Sequence, residues 1–362
     1  MSEEKELGVL RDQIDSLDQQ IQKLINERAK CAQNVAVVKE KYANGKAIKF
    51  YRPEREAQVL RKVMDRNEGP IANEDMARLF REVMSVCLAL EEPLKVAYLG
   101  PKGTFTQAAA LKHFGHSVEC LSQVSISDVF REVMSGAVNY GVVPVENSTE
   151  GVVTHTLDSF ADSTLQICGE VALRIHHHFL SNESSDSIKV VYSHPQSLAQ
   201  CRQWLDTHWP NIERIPVSSN AEAARKASKE KGAAAIAGDA AAELYSIQAI
   251  ANNIEDMPDN TTRFLIIGVD KTQSSGEDKT SIMVSSRNQP GALYHVLEPF
   301  HKASVSLTRI ETRPSRNGAW NYNFFIDFEG HASDTEIAAV LKQVAGSASE
   351  IKILGSYPKA VL

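Results

Sequence analysis

Three cations lie on or beside one apolar helical stripe near the N-terminus, and a cation in a helix seam calls for an anion. Steps of four and three residues give Leu10, Ile14, Leu17, Ile21, Leu24, Arg28, Cys31, Val35, Val38 and Tyr42, with Arg28 the single charge on the stripe. Arg11 and Lys39 flank it, each four residues from an apolar member, Leu7 and Val35. One such cation snorkels outward or pairs with a neighbouring Glu. Three on one face point to a pocket for an anion, because a buried cation without a partner is costly. Neither Pro nor Gly interrupts Val9 to Ala43, so the spacing predicts one continuous helix, roughly 50 Å long.

Two shorter helices complete the N-terminal part. Asn44-Gly45 breaks the first pattern, Pro53 suits the start of a second helix carrying Val59, Leu60 and Val63, and Asn73 can cap a third with Met76, Leu79/Phe80, Val83, Cys87 and Glu91 on its stripe. Three helices of such unequal length cannot bury all their apolar faces alone, and an intertwined dimer solves this. From Lys95 the pattern becomes strand–loop–helix. Lys95–Leu99 leads through Gly100-Pro101-Lys102-Gly103 to a helix start at Thr104, and Ile188–Tyr192 leads through Ser193-His194-Pro195 to Gln196. Both loops bring small polar groups to a helix N-terminus, where free N–H groups and the dipole favour an anion. Further strands are expected at Tyr140–Val143 and Ala233–Ile236, and the whole reads as two α/β lobes around a cleft. After the polar linker Lys271–Glu277 come strand Thr280–Ser286, helix Ala292–Lys302, strand Val305–Arg313, turn Asn317-Gly318, strand Asn321–Phe328, helix Asp334–Ala345 and strand Glu350–Gly355. That order is ferredoxin-like.

Composition narrows the class. The chain has 362 residues, 23% charged and 43% hydrophobic, with a net charge of -7. That size admits two or three domains, and the acidic balance argues against nucleic-acid binding, which needs a basic face. The five cysteines form no CxxC pair, which fits a reducing cytosol better than a disulfide or zinc scaffold. No signal-peptide core and no apolar run of membrane-spanning length occurs, so a cytoplasmic protein is expected. His176-His177-His178 invites a metal reading, but consecutive strand residues face opposite ways and no carboxylate or Cys stands at ligand spacing, so no metal is expected.

In their order along the chain, these motifs resemble the bifunctional chorismate mutase–prephenate dehydratase family of phenylalanine biosynthesis. The carriers in the middle are Gly100-Pro-Lys-Gly-Thr-Phe-Thr106, Val143-Pro-Val-Glu-Asn-Ser148, Ser193-His-Pro-Gln-Ser197 and Thr261-Thr-Arg-Phe264. Pro290-Gly-Ala-Leu293 and Glu311-Thr-Arg-Pro314 resemble an ACT domain. The resemblance implies an all-α mutase domain at 1–92, a two-lobed dehydratase domain at 95–270 similar to periplasmic binding proteins, and a ferredoxin-like ACT domain at 279–356. It also implies a homodimer or higher homo-oligomer, no cofactor and no membrane partner.

The resemblance further assigns residues. For chorismate, Arg11 from a partner chain, Arg28 and Arg55 hold carboxylates, Lys39 and Glu91 address the ether oxygen, and Glu56 takes the ring hydroxyl. Cys87, Arg52 and Glu91 stand where the family pattern has Ser, Asp and Gln. For prephenate, Thr262 is the leading catalytic group and Glu146 a candidate proton donor. Thr104, Asn147, Ser148, Ser193 and Gln196 orient substrate, and Arg263 pairs with a carboxylate. For L-phenylalanine as effector, Asn288, Gly291, Ala292, Leu293, Glu311 and Thr312 are expected contacts. Two rival readings remain: an amino-acid-sensing regulatory protein with a degenerate cleft, which leaves Arg28 without a use, and a mutase joined to a dehydrogenase, which requires a GxGxxG fingerprint the chain lacks.

Overall fold

A computed structural model describes residues 3–43, 49–286, 289–314 and 322–362. The expected breaks at Asn44-Gly45 and Asn317-Gly318 lie outside the described residues, as does Asn288. Helix α1 (Glu3–Tyr42) is continuous over 40 residues, as its uninterrupted spacing requires. None of its residues is buried, and Leu10, Leu17 and Leu24 are 55%, 56% and 63% exposed. Helix α2 (Pro53–Asp65) buries Ala57, Leu60 and Val63, and α3 (Asn73–Ala89) buries Ala77, Arg81, Ser85 and Cys87. Asn73 proves to be the first helical residue rather than the cap; Ala72 takes that place, and Asn73 Oδ1 accepts from Asn67 Nδ2. Among the described residues no helix is long and apolar enough to cross a membrane.

The middle of the chain forms two lobes. The first contains β1 (Lys95–Leu99), α4 (Phe105–Phe114), β2 (Glu119–Gln123), α5 (Ile126–Met134), β3 (Tyr140–Asn147), β4 (Gly151–Val152), α6 (Thr154–Asp162) and β5 (Gln166–Arg174). The chain then crosses to β6 (His178–Leu180), β7 (Val190–Ser193), α7 (Pro195–Gln200), α8 (Arg202–His208), β8 (Glu213–Pro216), α9 (Asn220–Ala227), β9 (Ala233–Ala237), α10 (Asp239–Leu244) and β10 (Ala249–Ala251), and returns as β11 (Thr261–Gly268). One sheet runs β2-β1-β3-β11-β5 with β4 beside β3, and the other runs β10-β6-β9-β7-β8. Parallel pairing of β1 with β2 and β3, and of β7 with β8 and β9, directs their C-terminal ends toward the gap between lobes. The two chain crossings meet where the Ile175 N–H donates to the Asn260 carbonyl at 2.8 Å.

The last unit has β12 (Asp278–Ser286), α11 (Ala292–Lys302), β13 (Leu307–Pro314), β14 (Tyr322–Glu329), α12 (Thr335–Ser347) and β15 (Glu350–Pro358) in the sheet order β13-β14-β12-β15. Strand alternation divides its sheet. Ile282, Val284, Phe324 and Ile326 pack under the two helices, whereas Met283, Phe325, Leu354 and Tyr357 join the core of the first lobe. Polar contacts pin the same interface: Lys352 Nζ donates to the carbonyls of Phe160, Ala161 and Ser163 at the end of α6, and Arg313 reaches Asp158.

Backbone meets backbone at Gly355, where an added Cβ would stand 2.3 Å from the Ile167 oxygen and 2.7 Å from its nitrogen. Gly355→Ala should therefore force the two sheets apart and destabilise the protein by about 1–3 kcal/mol. Gly346 on α12 has nothing within 4 Å of such an atom, and Gly346→Ala should be neutral or stabilising by up to about 1 kcal/mol from helix propensity. Thermal unfolding of the two variants checks the contrast; equal midpoints would contradict the close approach.

Candidate active sites

The helical part gathers Arg28, Lys39 and Glu91. Arg28 and Lys39 are the half-buried cations of α1, on the flank that meets α3, and Glu91 follows the end of α3. Lys39 Nζ donates to the carbonyls of Lys49 and Phe50 at 3.1 and 3.3 Å and lies 5.2 Å from the Phe50 ring centre. Burial pushes the Glu91 carboxyl above the usual carboxylate range, against smaller opposing pulls from Lys39 and Arg28. Arg11 stands 17 residues before Arg28, about 25 Å along the helix, so within one chain it belongs to a different place. Arg55 is exposed on α2 and Cys87 is buried on α3.

Two members expected there turn elsewhere. The Glu56 carboxylate faces Arg81 Nε at 3.3 Å, and Arg81 also donates to the Lys112 carbonyl of the first lobe. The pair is sealed beside Tyr51 and His113, whose hydroxyl and Nε2 lie 3.1 Å apart. Burial raises the Glu56 carboxyl and Arg81 opposes it. Arg52 bonds Glu54 at 2.8 Å and Gln273 at 2.7 Å, so its guanidinium ties the polar linker to α2. Arg61 grips the same linker through the Glu277 carbonyl and the Ser275 hydroxyl.

Between the lobes lies a cleft of about 670 Å³. Thr104, Asn147, Gln196 and Thr262 line it, together with Phe105, His177, His194, Ser197, Gln200 and Asn220. Among the described residues lining it, none is Asp, Glu, Lys or Arg. The anion-binding capacity comes from helix starts instead. The N-cap residues of α4, α7 and α9 (Thr104, His194 and Ser219) line the cleft, as does Ile126 at the start of α5. Four helices thus converge with their positive ends on one space. His194 accepts from the Gln196 N–H and so caps α7. Burial holds both His177 and His194 below the usual imidazole range, with a hydrogen bond to Gln200 partly offsetting this at His177.

Strand alternation removes several expected residues from the cleft. β11 pairs antiparallel with β3, placing Thr262 opposite Asn147 and Arg263 opposite Glu146. Asn147 Nδ2 donates to Thr262 Oγ1 at 2.8 Å on the cleft face. On the other face Arg263 bonds Glu170 at 2.8 Å, Asp327 at 2.6 Å and the Tyr357 hydroxyl at 2.9 Å, while Glu146 lies 3.2 Å from Arg309. Neither Arg263 nor Glu146 is placed to meet a ligand in the cleft. Ser193 is wholly buried, donating to the Ile236 carbonyl, and lies 3.0 Å from Asn220 Oδ1. Ser148 accepts from the Thr261 N–H. Three cleft residues were missed from sequence: Asn220, Gln200 and, as a cleft residue, His177. A signal existed for Asn220, which follows Ser218-Ser219 at a helix start as His194 follows Ser193.

The third candidate is a hollow of about 350 Å³ lined by Gly291, Ala292, Leu293, Thr312 and the aromatic rings of Tyr294, Tyr322 and Phe324. Gly291 adopts φ +80 as the N-cap of α11, a backbone that favours glycine. Glu311 shares the strand face of Phe325, toward the first lobe, whereas Thr312 shares the face of Phe324. Within one chain Glu311 is therefore on the wrong side of the sheet to meet a ligand beside Gly291.

Comparison with known proteins agrees along the chain. Residues 10–92 match the model of chorismate mutase type II, 96–272 that of prephenate dehydratase and 280–346 that of the ACT domain. Bifunctional chorismate mutase/prephenate dehydratases of Stutzerimonas stutzeri and Pseudomonas aeruginosa are each 60% identical over the whole of both chains. The crystal structure of a prephenate dehydratase in complex with L-Phe from Arthrobacter aurescens is 32% identical, with a TM-score of 0.69, over 73% of this chain and 90% of that one.

Proposed function

The chain belongs to the family of bifunctional chorismate mutase/prephenate dehydratases, and we infer from its geometry how two reactions share one polypeptide. It rearranges chorismate to prephenate and converts prephenate to phenylpyruvate with loss of carbon dioxide and water. We assign the first reaction to residues 1–92, the second to 95–270 and effector binding to 279–356. The observation that carries this division is the cation-lined seam of Arg28 and Lys39 in one domain and the uncharged cleft of Asn147 and Thr262 in another.

The rearrangement needs no nucleophile. It needs a dicarboxylate held in a compact conformer and relief of charge developing on the ether oxygen. Arg28, with Arg11 from a second copy of the chain and Arg55, holds the carboxylates; Lys39 and Glu91 meet the ether oxygen. The exposed apolar stripe of α1 supports a homodimer in which a second α1 covers it. The five free cysteines suit a reducing cytoplasm. In the cleft, aromatisation drives loss of carbon dioxide, and helix starts hold the carboxylates. Thr262 accepts from Asn147, so its own hydrogen is free to meet the departing hydroxyl. Arg28→Ala should abolish rearrangement and leave dehydration within a few-fold of normal. Thr262→Val should lower dehydratase turnover on the order of 10²-fold while rearrangement persists. Loss of both activities in either variant, still folded, would sink the two-site assignment.

The two activities should also part company with pH. Only the protonated Glu91 carboxyl can donate to the ether oxygen, and burial holds its pKa above the ordinary value. The protonated fraction grows as pH falls, so mutase turnover should climb from pH 8 toward 5, and Glu91→Gln should flatten the climb. Both cleft histidines titrate below the imidazole value of 6.5, so dehydratase turnover should be level between about pH 7 and 8.5. Parallel profiles for the two reactions would contradict these roles.

L-Phenylalanine is the effector that fits the hollow beside Gly291, with the ring among Tyr294, Tyr322 and Phe324 and the carboxylate at the start of α11. Gln289 and Thr312 supply further polar contacts. Full-length Gly291→Val should need at least about tenfold more phenylalanine for half-inhibition of the dehydratase, equal to about 1.4 kcal/mol. An unchanged inhibition curve would remove the hollow from consideration.

A further inference from the structure

Asn260 is assigned no part in either reaction, yet it stands where the lobes join. It is 2% exposed, its carbonyl accepts from Ile175 at the other crossing, and its side chain reaches both lobes. Hydrogen-bond polarity can be traced through it from a fixed origin. The backbone N–H groups of Thr149 and Glu150 both donate to Asn147 Oδ1 at 3.0 Å. Backbone N–H groups cannot accept, so the other end of that amide must be Nδ2, the donor. Asn147 Nδ2 carries two hydrogens and gives one to Asn260 Oδ1 and one to Thr262 Oγ1, each at 2.8 Å. With Asn260 Oδ1 accepting, its Nδ2 donates onward to Gln200 Oε1 at 3.1 Å in the second lobe. Gln200 Oε1 also lies 2.9 Å from His177 Nε2, which therefore carries the ring hydrogen, and the Gln200 amide hydrogens remain for the cleft it lines.

We propose that Asn260 is a positioning residue for the dehydratase: Thr149 and Glu150 fix which end of the Asn147 amide faces Thr262, and Asn260 Oδ1, by taking the other Nδ2 hydrogen, fixes the amide's tilt and with it the bond to Thr262 Oγ1, and so aims the Thr262 hydrogen at the substrate's departing hydroxyl. Through the same amide it holds Gln200 of the other lobe with its N–H groups outward. The inference rests on Thr262 serving the reaction. Without Asn260, one Asn147 Nδ2 hydrogen loses its acceptor; the amide, still held at Oδ1 by Thr149 and Glu150, can tilt off its bond to Thr262 Oγ1, and the Thr262 hydrogen loses its fixed direction. Chemistry suffers before binding does, because Asn260 is not among the residues lining the cleft.

The test uses the full-length enzyme, with mutase turnover at one fixed pH as the sign that each variant is folded. Asn260→Ala should lower dehydratase kcat about 10- to 100-fold with KM within about threefold. In the Thr262→Val background the same change should cost less than about threefold more, since the group it positions is gone. Asn260→Asp adds a readout that plain structural damage would not give. A protonated carboxyl accepts through one oxygen and donates through the other, as Asn does, while an ionised one cannot donate to Gln200. Its dehydratase kcat should therefore recover as pH falls from 8.5 to 5.5, whereas wild type stays level over the upper part of that range. If Asn260→Ala does not fold, the Asp profile decides alone. Independent, multiplying losses in the double variant, or an Asp variant whose profile matches wild type, would overturn the proposal. A normal Thr262→Val enzyme would instead overturn the reading of Thr262 on which it rests.

Discussion

The antiparallel pairing of β11 with β3 is the constraint on which the dehydratase half of the molecule depends. The two strands are distant in sequence and belong to the same lobe only because the chain leaves for the second lobe and returns. Their register sets Thr262 against Asn147 and Arg263 against Glu146. A shift of one residue would carry the first pair out of the cleft and the second into it. Ions on the far face guard against that slip. Arg263 is held by Glu170, Asp327 and Tyr357, and Lys279 adds to Glu170 at 2.7 Å. Leaving one of these buried charges unpartnered costs about 3–5 kcal/mol, so the ACT sheet, which supplies Asp327, Tyr357 and Lys279, stiffens the ladder that bears Thr262.

As proposed, the two sites would address similar dianions by opposite means. On the proposed assignment the mutase seam has fixed cations, which suits a reaction whose charge merely shifts within the bound molecule. The dehydratase cleft has helix ends and neutral amides. A cation there would hold the very carboxylate that must leave as neutral carbon dioxide, stabilising the ground state more than the transition state. Helix dipoles hold an anion with partial charges of about half an elementary unit, a weaker grip that is lost at less cost.

Much of this was legible in the residues. The length of α1, the position of Arg28 and Lys39 on it, the strand–loop–helix starts at Thr104 and Gln196, and the alternation of the last domain all follow from local periodicity and end chemistry. What was not legible is which face of a strand meets which neighbour. Adjacent residues such as Asn147 and Glu146, Thr262 and Arg263, or Thr312 and Glu311 must point oppositely, but sequence does not say which of each pair faces the ligand. Glu56 and Arg52 misled for a related reason: their helix packs against a second domain and a linker, and local spacing carries no record of that. Asn260 left no trace because its importance lies in joining Asn147 to Gln200, 53 residues apart.

Tyr51 gives the seam between the first two domains a different meaning. It lies before the start of α2, yet its ring sits 5.4 Å from Phe114 and 5.3 Å from Tyr140, in one apolar cluster with Tyr98, Val142 and Phe264 of the dehydratase lobe. That lobe's interior is completed by a side chain borrowed from its neighbour. The two modules are therefore more than tethered: they share a core, and separating them would expose a hydrophobic surface.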